Sequence, residues 1–405
     1  MAKRIIAVIG GGASGLAAAL TAAQDPANRV ILFERQQRVG RKLLATGNGR
    51  CNLTNTGAEL SHYHSEEPAL MRAVLSRRPV EEELEFFHTL GLVTTEEYGG
   101  RVYPYSDSAN SVLDVLRLAA DAAGVEIRCS ARVTELRRKS RGFVVITETE
   151  AQPADAVILA CGGAAGGKLG GVSDGYELAK ALGHSRTKLT PALVPLTTDP
   201  EYPRALKGVR ADAGLRLLRG NALLAESRGE LQFTETGISG PAAFDISRAG
   251  AREGGELRVE IDLLRNLTEQ QILALLQARA ERCPALEAAE LFTGVLHNRL
   301  GRMIVKYSGL AANAAAGGLQ PQELSAAARA AKHFVLKLKG SGDFNAAQVT
   351  AGGLRTQEFD PRTLQSRLCP GLYACGELLD VDGDCGGFNL HWAWASGREA
   401  GRLLK

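Results

Sequence analysis

RIIAVIGGGASGLAAAL, residues 4–20, decides the fold. Ile5 to Ile9 form an apolar run with no polar break, which predicts a central parallel strand buried on both faces. Gly10, Gly12 and Gly15 follow in GxGxxG spacing: the first permits the tight turn, the second lets backbone approach a phosphate, and the third seats the helix close to the strand. The helix that starts around Ala13 and Ser14 would turn its free amides, with their partial positive charge, toward a diphosphate. RVILFER, residues 29–35, supplies the next strand. Glu34 stands at its end with Arg35 beside it, and a carboxylate there accepts hydrogen bonds from ribose hydroxyls and repels a 2′-phosphate. Strand, glycine turn, helix, strand and acid in this order predict a dinucleotide-binding domain.

The other end of the chain narrows the dinucleotide. GLYACGELLDVDGDCGGFNLHWAWASGREAG spans residues 371–401. Leu372 to Ala374 predict a short buried strand, with Gly376 and Glu377 at its carboxyl edge, where ligands gather in such sheets. Gly387, Phe388 and Asn389 open a helix running to about Leu403. An N-terminus aimed at the pyrimidine carbonyl of a flavin would stabilise negative charge on the reduced ring. The two blocks read as halves of one FAD site.

Between them, VGRKLLATGNGRCNLTN (residues 39–55) combines glycines, cations and amides. Arg41 and Lys42 are expected near the diphosphate, with Gly47 and Asn48 in contact with cofactor. Residues 127–149 read as strands around a basic hairpin tip, and Val133 is counted among the cofactor contacts. DAVILACGG, residues 155–163, is a buried strand whose Ala160 and Gly162 would let backbone approach the adenine side. No second strand–GxGxxG–helix–strand–acid unit follows, so NAD(P)H is expected as a transient electron donor and not as a resident.

A chain of 405 residues exceeds one ordinary core. From Pro191 to about Phe344 the pattern turns to alternating strands and then helices, read at 268–282 and 286–338. The expected fold class is α/β, a Rossmann-like FAD domain with an inserted antiparallel β-barrel and helical subdomain. The expected boundaries are 1–190 and 346–405 for the FAD domain and 191–345 for the insert. FTETGISGPAAFDISR, residues 233–248, reads as a fixed loop.

The composition is that of an ordinary globular protein, 45% hydrophobic and 23% charged, with a net charge of +3 that neither demands nor excludes nucleic acid. Seven cysteines lie scattered without a CxxC pair. Neither zinc nor a dithiol centre is expected, no metal is assigned, and an odd count fits a reducing cytoplasm. No leader or membrane span is expected. The oligomeric state is open.

RKLLATGNGRCNLTN (41–55), GRVYPYSDSANSV (100–112) and ACGELLDVDGDCGGFNLHWAWASG (374–397) together resemble the BaiN-like family of NAD(P)/FAD-dependent oxidoreductases, the aminoacetone oxidase-like flavoproteins. The resemblance covers nearly the whole chain. It implies FAD contacts at Gly10, Gly12, Gly15, Glu34, Arg41, Lys42, Gly376, Glu377 and the Gly387-Phe388-Asn389 helix start. It also implies reduction of a small enone, reduction of a uracil in ribosomal RNA, or amine oxidation. A non-enzymatic flavin-bound RNA or assembly factor is the alternative outside catalysis. Reduction of C=C needs a proton donor beside the flavin. Cys51 (a thiol in a cationic loop), Tyr103, Tyr105 and His391 are the candidates, the two tyrosines framing Pro104.

Overall fold

In a computed structural model, which describes residues 3–404, the chain divides into two compact units. One comprises Met1–Thr190 with Gln348–Lys405, and the other Pro191–Ala347.

The first unit is built on a five-stranded parallel sheet. Its order is Leu372–Ala374, Ala156–Leu159, Arg4–Ile9, Asn28–Phe33, Glu126–Arg128. Arg4–Ile9 is central because its residues are apolar on both faces; Ile6, Ala7 and Val8 are completely buried. Helix Ala13–Ala23 follows the first strand, and helix Phe388–Gly401 ends the unit. These two helices touch backbone to backbone. A Cβ on Gly397 would stand 2.4 Å from the Ser14 carbonyl oxygen, and one on Gly401 2.5 Å from that of Ala18. Small residues four apart on the last helix thus bind the two chain ends together. Glu399, buried on the same helix, accepts from Arg77 Nε at 2.9 Å and Arg78 Nε at 2.8 Å.

Residues 126–149 form three strands, divided between two sheets. Glu126–Arg128 joins the parallel sheet, Ser130 turns the chain with a positive φ, and Val133–Arg138 begins a separate antiparallel sheet with Phe143–Thr147 and Ala151–Ala154.

The second unit is a closed six-stranded barrel with helices. Its strands run in the order Leu196–Thr198, Gly237–Ser239, Ala222–Phe233, Arg210–Arg219, Leu257–Asp262, Phe334–Ser341, and the last pairs with the first. Alternation sets the inside: Leu257, Val259 and Ile261 are buried while Arg258, Glu260 and Asp262 between them are partly exposed. The helices are Pro241–Arg252, Glu269–Arg282, Asn298–Tyr307 and Pro321–Lys332. Two sequence expectations change here. Phe334–Ser341 is the strand that closes the barrel, not the end of a helix, because its alternating FVLKLKGS lets Phe334 and Leu336 enter the core. Residues 233–248 are no loop either; they contribute strand Gly237–Ser239 and the start of helix Pro241–Arg252.

Among the described residues no helix is long and apolar enough to cross a membrane.

Candidate active site

At the carboxyl edge of the parallel sheet the first strand turns at Gly10, which adopts φ +110°. A side chain there would strike the Ala160 carbonyl oxygen at 2.4 Å, and one at Gly15 would strike Gly10 itself. Gly12 differs. A Cβ on it would meet nothing within 4 Å, and neither would one on Gly162. Helix Ala13–Ala23 has Gly12 as its N-cap and no side chain capping its first amides. Free amides beside open space, with backbone bared by glycine, fit a diphosphate.

Glu34 lies nearby, nearly buried. Its two carboxylate oxygens accept from the amides of Gly11 and Gln36, both at 2.7 Å. These bonds fix the carboxylate and leave lone pairs for ribose hydroxyls. The Ala131 amide donates to the Glu34 carbonyl at 2.9 Å, which brings Val133 to the same edge. Arg35 lies 3.5 Å from Asp174, a carboxylate held more tightly by Arg132 at 2.8 Å. Arg41 turns toward this end and donates to Gln36 at 2.9 Å.

The opposite pole is built from both ends of the chain. Lys42 pairs with Glu377 at 2.7 Å, and the other oxygen of Glu377 accepts from the Thr350 amide at 2.8 Å. The last helix grips Gly376: its amide donates to Ser396 Oγ at 2.9 Å and its carbonyl accepts from Trp392 Nε1 at 3.0 Å. Ser14 packs on the same turn, where a Cβ at Gly376 would come within 2.4 Å of its hydroxyl. Helix Phe388–Gly401 begins after Gly387 with no side-chain cap, a second set of free amides. The Asn389 side chain is already engaged, bonding both the amide and the carbonyl of Gly383 at 2.8 and 2.7 Å. It therefore shapes the turn before the helix, and only its backbone is left to face a ligand. Phe388 stacks on His62 with ring centroids 4.3 Å apart. Gly47 and Asn48, both with φ of 57°, carry the exposed loop that faces this region.

The candidate proton donors have different surroundings, and Tyr105 is 74% exposed. Tyr103 is 8% exposed, with the Arg50 guanidinium 4.1 Å from its ring centroid. Glu97 and Asp107 hold Arg50 there. A Cβ on Gly47 would lie 3.4 Å from the Tyr103 ring, so the glycine loop packs on it. Burial pushes the phenol above its ordinary range, with Arg101 and Arg50 opposing.

Cys51 and His391 stand in surroundings that do not favour proton donation. Cys51 is completely buried, and burial pushes its thiol up to about 12, partly offset by a hydrogen bond with Thr46. The cations of its loop are engaged elsewhere, Arg41 with Gln36, Lys42 with Glu377 and Arg50 with Glu97 and Asp107. His391 is 2% exposed and both its ring nitrogens are used, Nδ1 with Thr54 Oγ1 at 3.0 Å and Nε2 with the Arg78 carbonyl at 3.2 Å. A carbonyl only accepts, so Nε2 carries the proton and Nδ1 accepts from Thr54. Burial lowers the imidazole to about 4. It is a neutral strut in this structure.

His62 and His64 share a carboxylate partner. Residues Asp382–Gly383 pair antiparallel with Tyr63–His64, and this brings Asp384 between the two imidazoles at 3.0 and 2.8 Å. Asn55, buried, donates to the carbonyls of Gly99 and Gly386, joining two turns far apart in sequence. No local spacing signals either contact.

A family model described as the HI0933-like protein Rossmann domain matches residues 4–403. The chain belongs to that family. Over 401 residues it is 43% identical to the 3-dehydro-bile acid delta(4,6)-reductase of Clostridium scindens, covering 98% of each chain. It is 28% identical to the ribosomal RNA dihydrouridine synthase of Escherichia coli, over 96% of this chain and 95% of that one. Among solved structures, the open form of a flavocytochrome c3 fumarate reductase superposes with a TM-score of 0.50 at 17% identity, covering 99% of this chain and 78% of that one. At that identity the likeness is one of fold. The resemblance carried by the three sequence motifs holds, and the chain is an FAD oxidoreductase of the BaiN-like kind.

Proposed function

We propose that this protein reduces a C=C bond conjugated to a carbonyl in a small apolar molecule, drawing its electrons from NAD(P)H. The 43% identity to a bile-acid enone reductase along 98% of both chains carries this reading. The ribosomal RNA enzymes, at 28%, keep reduction of a uracil C=C as the second reading. Both reactions have the same form, a hydride to the electron-poor carbon and a proton to its neighbour.

FAD would supply the hydride. Gly10, Gly12, Gly15 and the first helix would hold its diphosphate, Glu34 its ribose, and Gly376 with the start of the last helix its ring. The chain must also present a proton. Tyr103 is the residue we assign to that role. Its phenol keeps its proton at neutral pH, Arg50 fixes its ring, and it lies against the glycine loop of the site.

Anaerobic mixing with NADH or NADPH tests the proposal. The flavin absorbance should fall, then recover on addition of a steroidal enone and stay low with ribosomal RNA. In Tyr103→Phe, reduction by nicotinamide should be unchanged while reoxidation by the enone slows on the order of a hundredfold. Recovery with RNA alone would reverse the order of the two readings. Equal reoxidation by Tyr103→Phe would remove Tyr103 as donor.

A further inference from the structure

Asn52 sits between the two glycine-rich pieces of the site. A Cβ on Gly387 would lie 2.9 Å from Asn52 Oδ1, and a Cβ on Gly47 would lie 2.8 Å from the Asn52 amide nitrogen. Oδ1 is shut off from solvent, yet it has no hydrogen-bond partner among the described residues. Turning the amide round does not cure this, since one of its polar ends is then buried unpaired in the same place. Buried polar atoms without partners are uncommon and call for a ligand or an ordered water. The uncapped amides of helix Phe388–Gly401 begin at the same spot.

Two unmet hydrogen-bonding features of different kinds therefore meet beside Gly387. A diphosphate offers acceptors only, so it serves the helix amides but not Oδ1 as the amide stands, and would serve both only with the amide turned round. The edge of an isoalloxazine alternates C=O and N–H, and serves both, whichever way the amide faces. We infer that Asn52 is the side chain that hydrogen-bonds the redox-active ring of bound FAD, and that it thereby helps to set the ring's reduction potential. This rests on the FAD reading above and moves Asn52 from the diphosphate side of the site, where its loop of cations would place it, to the ring side.

Asn52→Leu and Asn52→Asp, each purified as the full chain, test the inference against wild type. Three quantities are read: the FAD dissociation constant by flavin fluorescence, the visible spectrum of the bound flavin, and its midpoint potential by dye equilibration. Without flavin, Asn52→Leu should melt no lower than wild type, because it loses a polar group that had no partner. Its FAD dissociation constant should rise about tenfold, with a shifted flavin band. Asn52→Asp keeps an acceptor but adds negative charge, so the midpoint potential should fall. If Asn52→Leu does not fold, the potential of Asn52→Asp alone decides. Wild-type affinity, spectrum and potential in the variants would overturn the inference and leave the FAD site standing. A wild-type chain that takes up no flavin would instead sink the parent reading and this one with it.

Discussion

His391 shows how a residue can be legible in position while its surroundings are not. Its place in the last helix followed from the sequence, but its partners, Thr54 and the Arg78 carbonyl, come from segments more than 300 residues away and leave no local trace. Cys51 shows the complementary case. Neighbouring cations in sequence suggest an activated thiol, whereas burial governs and pushes it up to about 12. His391 also carries a stability prediction. Burial depresses its folded value from 6.5 to about 4, so the folded state prefers the neutral ring. Its contribution is therefore complete above the unfolded value and is lost as pH falls from about 6.5 through 4. The size is roughly 2–4 kcal/mol. Melting curves of wild type and His391→Asn across pH 8 to 4 should converge as the solution becomes acid. A constant gap between them would contradict the assignment of a buried neutral imidazole.

Regular elements were easiest to read where one face or one run was unambiguous. The first strand, its glycine turn and its helix follow from Ile5–Gly15 alone, since a fully apolar strand and three spaced glycines admit few other structures. The last helix was equally clear after Gly386-Gly387. Phe334–Ser341 was not, because a helix before it and a short alternating run look alike until the barrel needs a closing strand. The antiparallel pair Tyr63–His64 with Asp382–Gly383 was invisible for the same reason: two-residue strands carry too little pattern, and only the fold brings them together. At this scale the contact of the first and last helices is the testable feature. Gly397→Ala adds a methyl group against the rigid Ser14 carbonyl, 2.4 Å from its ideal position. Alanine would ordinarily favour a helix over glycine by about 1 kcal/mol. Here the clash with backbone, which cannot rotate away, should outweigh that gain and destabilise the unit by about 1–3 kcal/mol. Denaturant melts should show a lower midpoint, and FAD should be lost more readily. A more stable variant would mean that the helices are free to part.

For the whole molecule, the α/β class with an inserted barrel was legible because periodicity changes sharply from buried parallel runs to alternating strands near Pro191 and back near Val349. Of the positions proposed from sequence, Gly10, Glu34, Ala160 and Gly376 follow the ends of strands of the one parallel sheet, where a ligand in such folds gathers. What the sequence could not supply is the set of side chains that join distant turns, Asn55 and Asp384 among them, because their partners are fixed only by the finished fold.

The account depends on both ends of the chain composing one dinucleotide site. Titration of the flavin-free protein with FAD, followed by calorimetry and by the visible spectrum, measures that directly. It should saturate at a single FAD per chain, and Gly12→Asp, which sets a negative side chain where the diphosphate is expected, should abolish binding while the protein stays folded. A protein that binds no FAD, or a Gly12→Asp variant that binds it as wild type does, would contradict the account.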